Sequence, residues 1–446
     1  MPQFYIENFG CRATQADGNA IERQLEQQGF SRSQWHEADV VVLNTCTVTA
    51  SADQDARAAI RRINRQNPSC KIVVTGCYAQ RSPEELAALP GVASVIGNSH
   101  KHLVASLAAQ TLAPSTPDFV PLQSLQNDNR LLVGDIFAHT ELLAAPVFEA
   151  SDHASRTRPN LKIQDGCNNR CSFCVIPFVR GQSRSLRAGE VLREVDALER
   201  AGYREIVLSG INLGQWGRDF DHPSRFEDLL ELVLDRTRIE KIRISSVEPM
   251  DWSDTLIDLL ANSPRIAKHA HLPLQSGSDR ILRRMHRKYR PWHYADKAMK
   301  IRSSVPDAAI GADVMVGFPG EDDAAVEETR SFIAQLPFTY LHVFTYSSRP
   351  GTPSATMTDQ VPVRVARERN RVLRELGAEK NRAFRRQFVG HNLQAITLRE
   401  HDSGSTEALT DNYIKLRIRG VHPANQWRSV AIEKLSDDGL EGRIYS

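Results

Sequence analysis

Residues 166–181, GCNNRCSFCVIPFVRG, place Cys167, Cys171 and Cys174 within eight positions of one another. Thiolates this close bind zinc or an iron–sulfur cluster. A structural zinc site is closed by four protein ligands. Here no further cysteine follows, and the nearest downstream histidine is His222. Zinc completed by a distant residue and a cluster held by three thiolates both remain open readings. The second leaves one iron free for an external ligand.

Three more cysteines each close a strand-like apolar run. FYIENFG (4–10) runs into Cys11, DVVVLNTC (39–46) ends on Cys46 and KIVVTGC (71–77) ends on Cys77. Helical patterns at about 17–29 and 53–66 lie between the runs. The β-α-β-α-β order predicts a parallel sheet, whose strands share one carboxyl edge where ligands bind. The three cysteines are 35 and 31 residues apart, each about one βαβ unit. They are expected to converge as a second incomplete set. Cys70, in NPSCKIVV, precedes its strand and so belongs at the opposite edge, as an ordinary thiol.

The elements that must position these groups follow from the whole chain. At 446 residues, 41% hydrophobic and 25% charged, it has the make-up of a globular protein of two to three domains. A net charge of +2 means that a nucleic-acid partner needs locally clustered charge. No stretch approaches the ~18 apolar residues of a membrane span. The opening MPQFYIENFGCRATQAD lacks the basic and apolar regions of a secretory signal. Seven cysteines, an odd number, suit metal binding in a reducing cytoplasm, the expected location, better than a disulfide framework.

The predicted class is α/β, with an open parallel α/β domain over 1–107 and a connecting segment over 108–158. That segment carries APSTPDFVP and SDHASRTRP and is read as a linker with a little local structure, a candidate part of a lid. Alternation then resumes over 159–360 with strand candidates at 161–165, 205–210, 241–246, 269–274, 310–318 and 340–347. Six strands suit a partial (β/α) barrel rather than the closed eight-stranded form. A basic helical connector, 361–388, leads to short strands over 389–446 that fit a small β-barrel.

C-x3-C-x2-C after the first barrel strand resembles the signature of radical S-adenosylmethionine (SAM) enzymes. GCRATQ, NTCTVT and TGCYAQ resemble the three cysteine motifs of methylthiotransferases, and LSGINLGQWG, RISSVEP, HLPLQSGSD and DVMVGFPGE resemble their radical domain. The carboxyl-terminal β segment is similar to the family's TRAM barrel, an RNA-binding module. NTCTVT and GQSRS are most similar to the branch acting on threonylcarbamoyladenosine beside the tRNA anticodon. The sister branches act on isopentenyladenosine in tRNA or on a ribosomal protein.

The resemblance implies two 4Fe-4S clusters, one on Cys167, Cys171 and Cys174 and an auxiliary one on Cys11, Cys46 and Cys77. It also implies SAM as cofactor, tRNA as substrate, and an electron donor such as flavodoxin or ferredoxin. The implied reaction inserts a methylthio group at carbon 2 of the modified adenine. In one departure, Thr14 stands where the family usually has asparagine, which leaves the ligands intact but puts the hydrogen bond beside the cluster in question.

For SAM itself, the resemblance points to Gly210, with Asn212 beside it in SGINLG. Ser246, Glu248, Gln275, Ser276 and Asp313 end the next strands, where they can meet ribose or adenine, or equally cap helices. The arginines from Arg364 to Arg386 can meet RNA phosphate or form a solvated helix face. Tyr413 and Lys415 are either RNA contacts or barrel packing. A zinc-stabilised RNA-binding protein without catalysis is the competing class.

Overall fold

Strands buried on both faces need uninterrupted apolar runs, and VVVL at 40–43 supplies one at the centre of the first sheet. The computed structural model describes residues 1–112, 131–138, 157–401 and 404–445. Its first sheet contains β1 (Gln3–Asn8), β2 (Ser31–Arg32), β3 (Val40–Thr45), β4 (Lys71–Gly76), β5 (Val92–Gly97) and β6 (Leu131–Leu132). All pair in parallel, in the order β2-β1-β3-β4-β5-β6.

Alternate residues of β3 feed two cores. Val40 and Val42 pack with Ile21 and Leu25 of the helix Arg12–Gln27. Val41 and Leu43 pack with Ile60 and Ile63 of the helix Ala50–Gln66. The first helix begins earlier than its apolar pattern suggests, because Cys11 is its extended N-cap residue. Most of the connecting segment expected at 108–158 lies outside the described residues.

By packing, the chain divides into two compact units that interleave along the sequence. One comprises 1–146, 164–186 and 347–355; the other comprises 147–163, 187–346 and 356–446. The first also holds a short antiparallel pair, β8 (Gln164–Asp165) with β9 (Arg184–Ser185).

The second unit contains β7 (Asn160–Lys162), β10 (Glu205–Ser209), β11 (Lys241–Ile244), β12 (His269–His271), β13 (Ala309–Val316) and β14 (Tyr340–Thr345). They form two parallel three-stranded sheets, β7-β10-β11 and β12-β13-β14. Bridges Ile242↔Ile266 and Ser246↔His271 join the two, giving the expected six-stranded open barrel. Its far end is sealed by charge: Arg243 and Glu205, both buried, pair at 2.7 Å. Arg243 also donates to the carbonyls of Thr410 and Asp411.

Those carbonyls belong to the C-terminal segment, a closed barrel of β15 (Asn392–His401), β16 (Ser405–Thr410), β17 (Lys415–Arg419), β18 (Trp427–Leu435) and β19 (Leu440–Ile444). Leu416, Ile418, Val430 and Ile432 fill it, against Phe384 and Phe388. The basic connector is one helix, Val363–Arg386, and part of its charge serves the fold. Arg369 pairs with Glu321 and Asp323, Arg371 with Glu368 and Glu375, and Arg385 donates to the carbonyls of Ser436 and Gly439. Tyr413 stacks on His269 with ring centres 4.3 Å apart, an internal contact of this unit. Among the described residues no helix is long and apolar enough to cross a membrane.

Candidate functional site

Because β1, β3 and β4 are adjacent and parallel, the turns that leave them lie side by side. Those turns carry Cys11, Cys46 and Cys77, the last opening the helix Cys77–Arg81. Cys46 is 5% exposed and Cys77 is also buried, while Cys11 faces outward. Burial, and then the adjacent Cys77, push the Cys46 thiol up to about 12, with Cys11 adding to the effect. The three sulfurs therefore share one electrostatic environment, as the sequence spacing implied. Cys70 is buried in the hydrophobic core at the other end of β4, its thiol raised to about 11 chiefly by burial.

Space beside the trio is reserved by glycine. At Gly10, φ is +100°, and a Cβ there would stand 2.5 Å from Cys46 Cβ and 2.7 Å from its sulfur. Polar groups meet the sulfurs: Asn98 Nδ2 donates to Cys77 Sγ at 3.5 Å, and Thr14 Oγ1 lies 3.5 Å from Cys11 Sγ. Thr14 thus keeps a polar contact where the family usually has asparagine. Gly10→Ala is expected to cost the chain this trio's metal, lowering iron from about eight to about four per chain after anaerobic reconstitution. Iron analysis checks it, with the Cys167 trio's iron retained as the internal control.

The second trio lies on a loop tied at its neck. Cys167 N donates to Gly181 O at 3.1 Å, and Cys174 N to Cys171 O at 3.1 Å. Gly166 has φ +69°, and a Cβ there would lie 1.9 Å from Gln182 O. Asn169 N donates to Cys167 Sγ at 3.4 Å. The helix Ile176–Arg180 follows, and its Val179 packs with Val175 on Cys77. Asn98 spans both segments, donating to Val179 O at 2.7 Å as well as to Cys77 Sγ. Both trios accordingly belong to one compact unit.

Arg180 was not singled out by sequence, yet it ties these segments together at 1% exposure. Its Nη1 meets both oxygens of Asp165, at 2.9 and 3.0 Å, and its Nη2 meets Asp17 Oδ2 at 3.0 Å and Thr14 Oγ1 at 3.4 Å. Lys101 joins Asp17 at 2.8 Å. Burial opposes the Arg180 charge, but Asp165, Cys77, Asp17 and Cys11 outweigh it and hold the guanidinium well above its ordinary value. A similar buried group next to Cys46 centres on Asp53, which accepts from Thr47 at 2.6 Å, Arg81 at 2.9 Å and Arg349 at 2.7 Å.

The donor chemistry discriminates between a single ion and a cluster. Thiolates bound to one zinc at about 2.3 Å stand about 3.8 Å apart. Among the described residues, the one group of three potential ligands that all lie within 4.8 Å of one another contains no cysteine. Three thiols in each set, with hydrogen-bond donors at their sulfurs, suit a cluster that leaves one iron open.

The SAM candidates lie in the barrel unit. Gly210 and Asn212 follow β10, with Asn212 buried. Ser246 bonds His271 Nδ1 at 2.8 Å, and Glu248 pairs with Arg287. The Ser276 hydroxyl is already engaged, 3.2 Å from Thr329 Oγ1 of the helix Asp323–Gln335 and accepting from Ser278 N at 3.1 Å. Gln275 is held at φ +65°, a left-handed conformation unusual for a side-chain-bearing residue, and its buried Oε1 has no hydrogen-bond partner. An orphaned acceptor on a strained backbone at a strand end fits a ligand-binding role. For Asp313, burial works to raise the carboxyl, but His271 and His342 outweigh it and hold it well below the usual range.

Known proteins match this arrangement segment by segment. A family described as "Uncharacterized protein family UPF0004" matches residues 3–97, and the "Radical SAM superfamily" matches residues 161–333. The threonylcarbamoyladenosine tRNA methylthiotransferase MtaB of Bacillus subtilis (strain 168) is 38% identical, over 93% of this chain and 90% of its own. The tRNA-2-methylthio-N(6)-dimethylallyladenosine synthase of Salinispora arenicola (strain CNS-205) is 35% identical, over 88% of this chain and 76% of its own. Among solved structures, the radical SAM methyltransferase TsrM from Kitasatospora setae, with cobalamin and a 4Fe-4S cluster bound, aligns with a TM-score of 0.55 at 14% identity. That alignment covers 80% of this chain and 74% of TsrM, a likeness of fold. With near full-length relatives at this identity and both cysteine trios in place, the chain belongs to the radical SAM tRNA methylthiotransferase family.

Proposed function

We propose that this chain inserts a methylthio group at carbon 2 of threonylcarbamoyladenosine in tRNA. Cys167, Cys171 and Cys174 hold the cluster that binds SAM, and Cys11, Cys46 and Cys77 hold the auxiliary cluster. When bound, these groups supply a 5′-deoxyadenosyl radical that removes hydrogen from carbon 2, and a sulfur, methylated by a second SAM, that replaces it.

The chain's own residues supply position and shielding. Burial of Cys46 and Cys77 shields those two sulfurs from water, while Cys11 stays accessible. Asn98 and Thr14 offer polar contacts to its thiolates, and Arg180 offsets their negative charge. Gln275 Oε1 is a free acceptor for a donor group on SAM. Gly210, Asn212, Ser246, Glu248, Ser276 and Asp313 are the further candidates for that contact, Ser276 through its backbone because its hydroxyl is engaged.

The target base must leave its stack to reach a radical, and the RNA needs phosphate contacts that hold its backbone. Within the second unit a cleft of about 910 Å³ is lined by Arg158, Arg374, Lys415 and Arg417 together with Tyr340 and His342. That mixture of cations and rings suits a nucleotide strand. A one-electron donor of the flavodoxin or ferredoxin class and a cytoplasmic location complete the reading.

The observation that carries it is the pair of three-cysteine sets, each with polar groups at its sulfurs, on a chain with near full-length methylthiotransferase relatives. Expression in a bacterium lacking its own adenosine methylthiotransferases, followed by mass analysis of tRNA nucleosides, tests it. The expected new nucleoside is 2-methylthio-threonylcarbamoyladenosine. The Salinispora relative favours a second reading, with dimethylallyladenosine as substrate. Appearance of the methylthio form of that nucleoside instead would reverse the substrate assignment, and an altered ribosomal protein would move the chain to the third branch.

A further inference from the structure

We propose that His271, Asp313 and His342 form a binding site for one divalent transition-metal ion, with no cysteine among its ligands. The three residues sit on neighbouring parallel strands. Asp313 of β13 is directly in register with His342 of β14. His271 of β12 is in register with Gly311, two positions before Asp313 and hence on the same face. The fold thus brings two imidazoles and a carboxylate together from positions 271, 313 and 342, with all three ligand atoms within 4.8 Å of one another.

The separations are those of a coordination shell. Two ligands each about 2.1 Å from one ion, at angles between octahedral and tetrahedral, stand about 3.0–3.4 Å apart. His271 Nε2 lies 3.3 Å from Asp313 Oδ1, and His342 Nδ1 lies 3.2 Å from the same oxygen. His271 Nε2 is buried and, despite that proximity, makes no hydrogen bond of acceptable geometry. Its ring is turned by the 2.8 Å bond between Nδ1 and Ser246 Oγ, the outer contact that metal-binding histidines ordinarily possess.

Tyr340 braces the pair, its ring centre 6.1 Å from that of His271 and 5.2 Å from that of His342. Exposure rises across the group, from buried His271 to a His342 side chain that is 59% accessible. One side of the site is therefore open, and water or an anionic oxygen of a ligand can take the remaining positions. Two histidines and one carboxylate with open positions suit iron(II), cobalt(II), manganese(II) or zinc. The alternative is a hydrogen-bonded cluster that only fastens three strands together.

Equilibrium dialysis of the cluster-loaded holoenzyme against cobalt(II), under anaerobic conditions, separates the two. Occupying the cysteines with clusters keeps them from competing. The expected result is one cobalt per chain, with two imidazole nitrogen couplings in pulsed electron paramagnetic resonance. His342→Ala, at an accessible position, is expected to abolish stoichiometric binding while the clusters remain. Ser246→Ala is expected to weaken it about 10–100-fold. Cobalt that is substoichiometric in the parent, equally bound in His342→Ala, or bound without nitrogen couplings overturns the site.

Discussion

Cys46→Ala is expected to abolish methylthiolated product while SAM cleavage to 5′-deoxyadenosine continues, whereas Cys171→Ala abolishes the cleavage itself. The two thiols belong to different sets, so their losses separate different half-reactions. Cys46 is a buried thiol just past the end of β3, and its proton is held tightly by burial and by Cys77. A metal that binds there must displace that proton, and removing the thiol leaves two ligands for a cluster that had three. Cys171 contributes to the tied loop whose open iron binds SAM, so its loss removes the electron's entry point. Quantifying 5′-deoxyadenosine and modified nucleoside in the same reaction checks both. Full cleavage by Cys171→Ala, or methylthiolated tRNA from Cys46→Ala, contradicts the assignment.

The convergence of Cys11, Cys46 and Cys77 could be read from sequence because it follows from a local rule applied three times. Each cysteine ends a strand-like run, and each run is one strand–helix unit from the next, so the fold's handedness does the rest. The barrel strands were legible for the same reason. LKIQD nevertheless reads as one strand and is two: β7 stops at Lys162, and Gln164–Asp165 pairs antiparallel with Arg184–Ser185. Nothing in five residues encodes that change of partner.

What sequence periodicity cannot carry is the meeting of charges from distant positions. Asp17 falls among the buried residues of an amphipathic helix, and its partner Arg180 is 163 residues away. Asp53 and Arg349 are 296 residues apart. A buried carboxylate on a helix that follows a cysteine is a signal, but it names no partner. The arginine run at 364–386 posed the opposite difficulty, since composition suggests phosphate binding while Arg369 and Arg385 are buried in contacts within the fold. Tyr413 likewise could be placed on the barrel surface or in packing, and its stack on His269 is a long-range contact.

Arg180→Met is expected to destabilise the cysteine-bearing unit by about 3–5 kcal/mol, because it strips the partner from carboxylates that stay buried. Lys101 still reaches Asp17, so the larger loss falls on Asp165, to which Arg180 is the bidentate partner. Asp165 begins the loop that carries Cys167, and Asp17 lies in the helix capped by Cys11; one guanidinium therefore fixes the approach of both cysteine segments. Removing Arg180 and Asp165 together, with Asp165→Asn added and Asp17 left to its partner Lys101, is expected to recover most of the stability, since the cost arises from unpaired charge rather than from lost packing. Hydrogen-exchange protection over residues 12–27 and 164–186, measured in the metal-free chain, reads the effect without any contribution from cluster binding. If Arg180→Met exchanges like the parent protein, or if the double variant is no more protected than the single one, the ion network does not hold these segments in place.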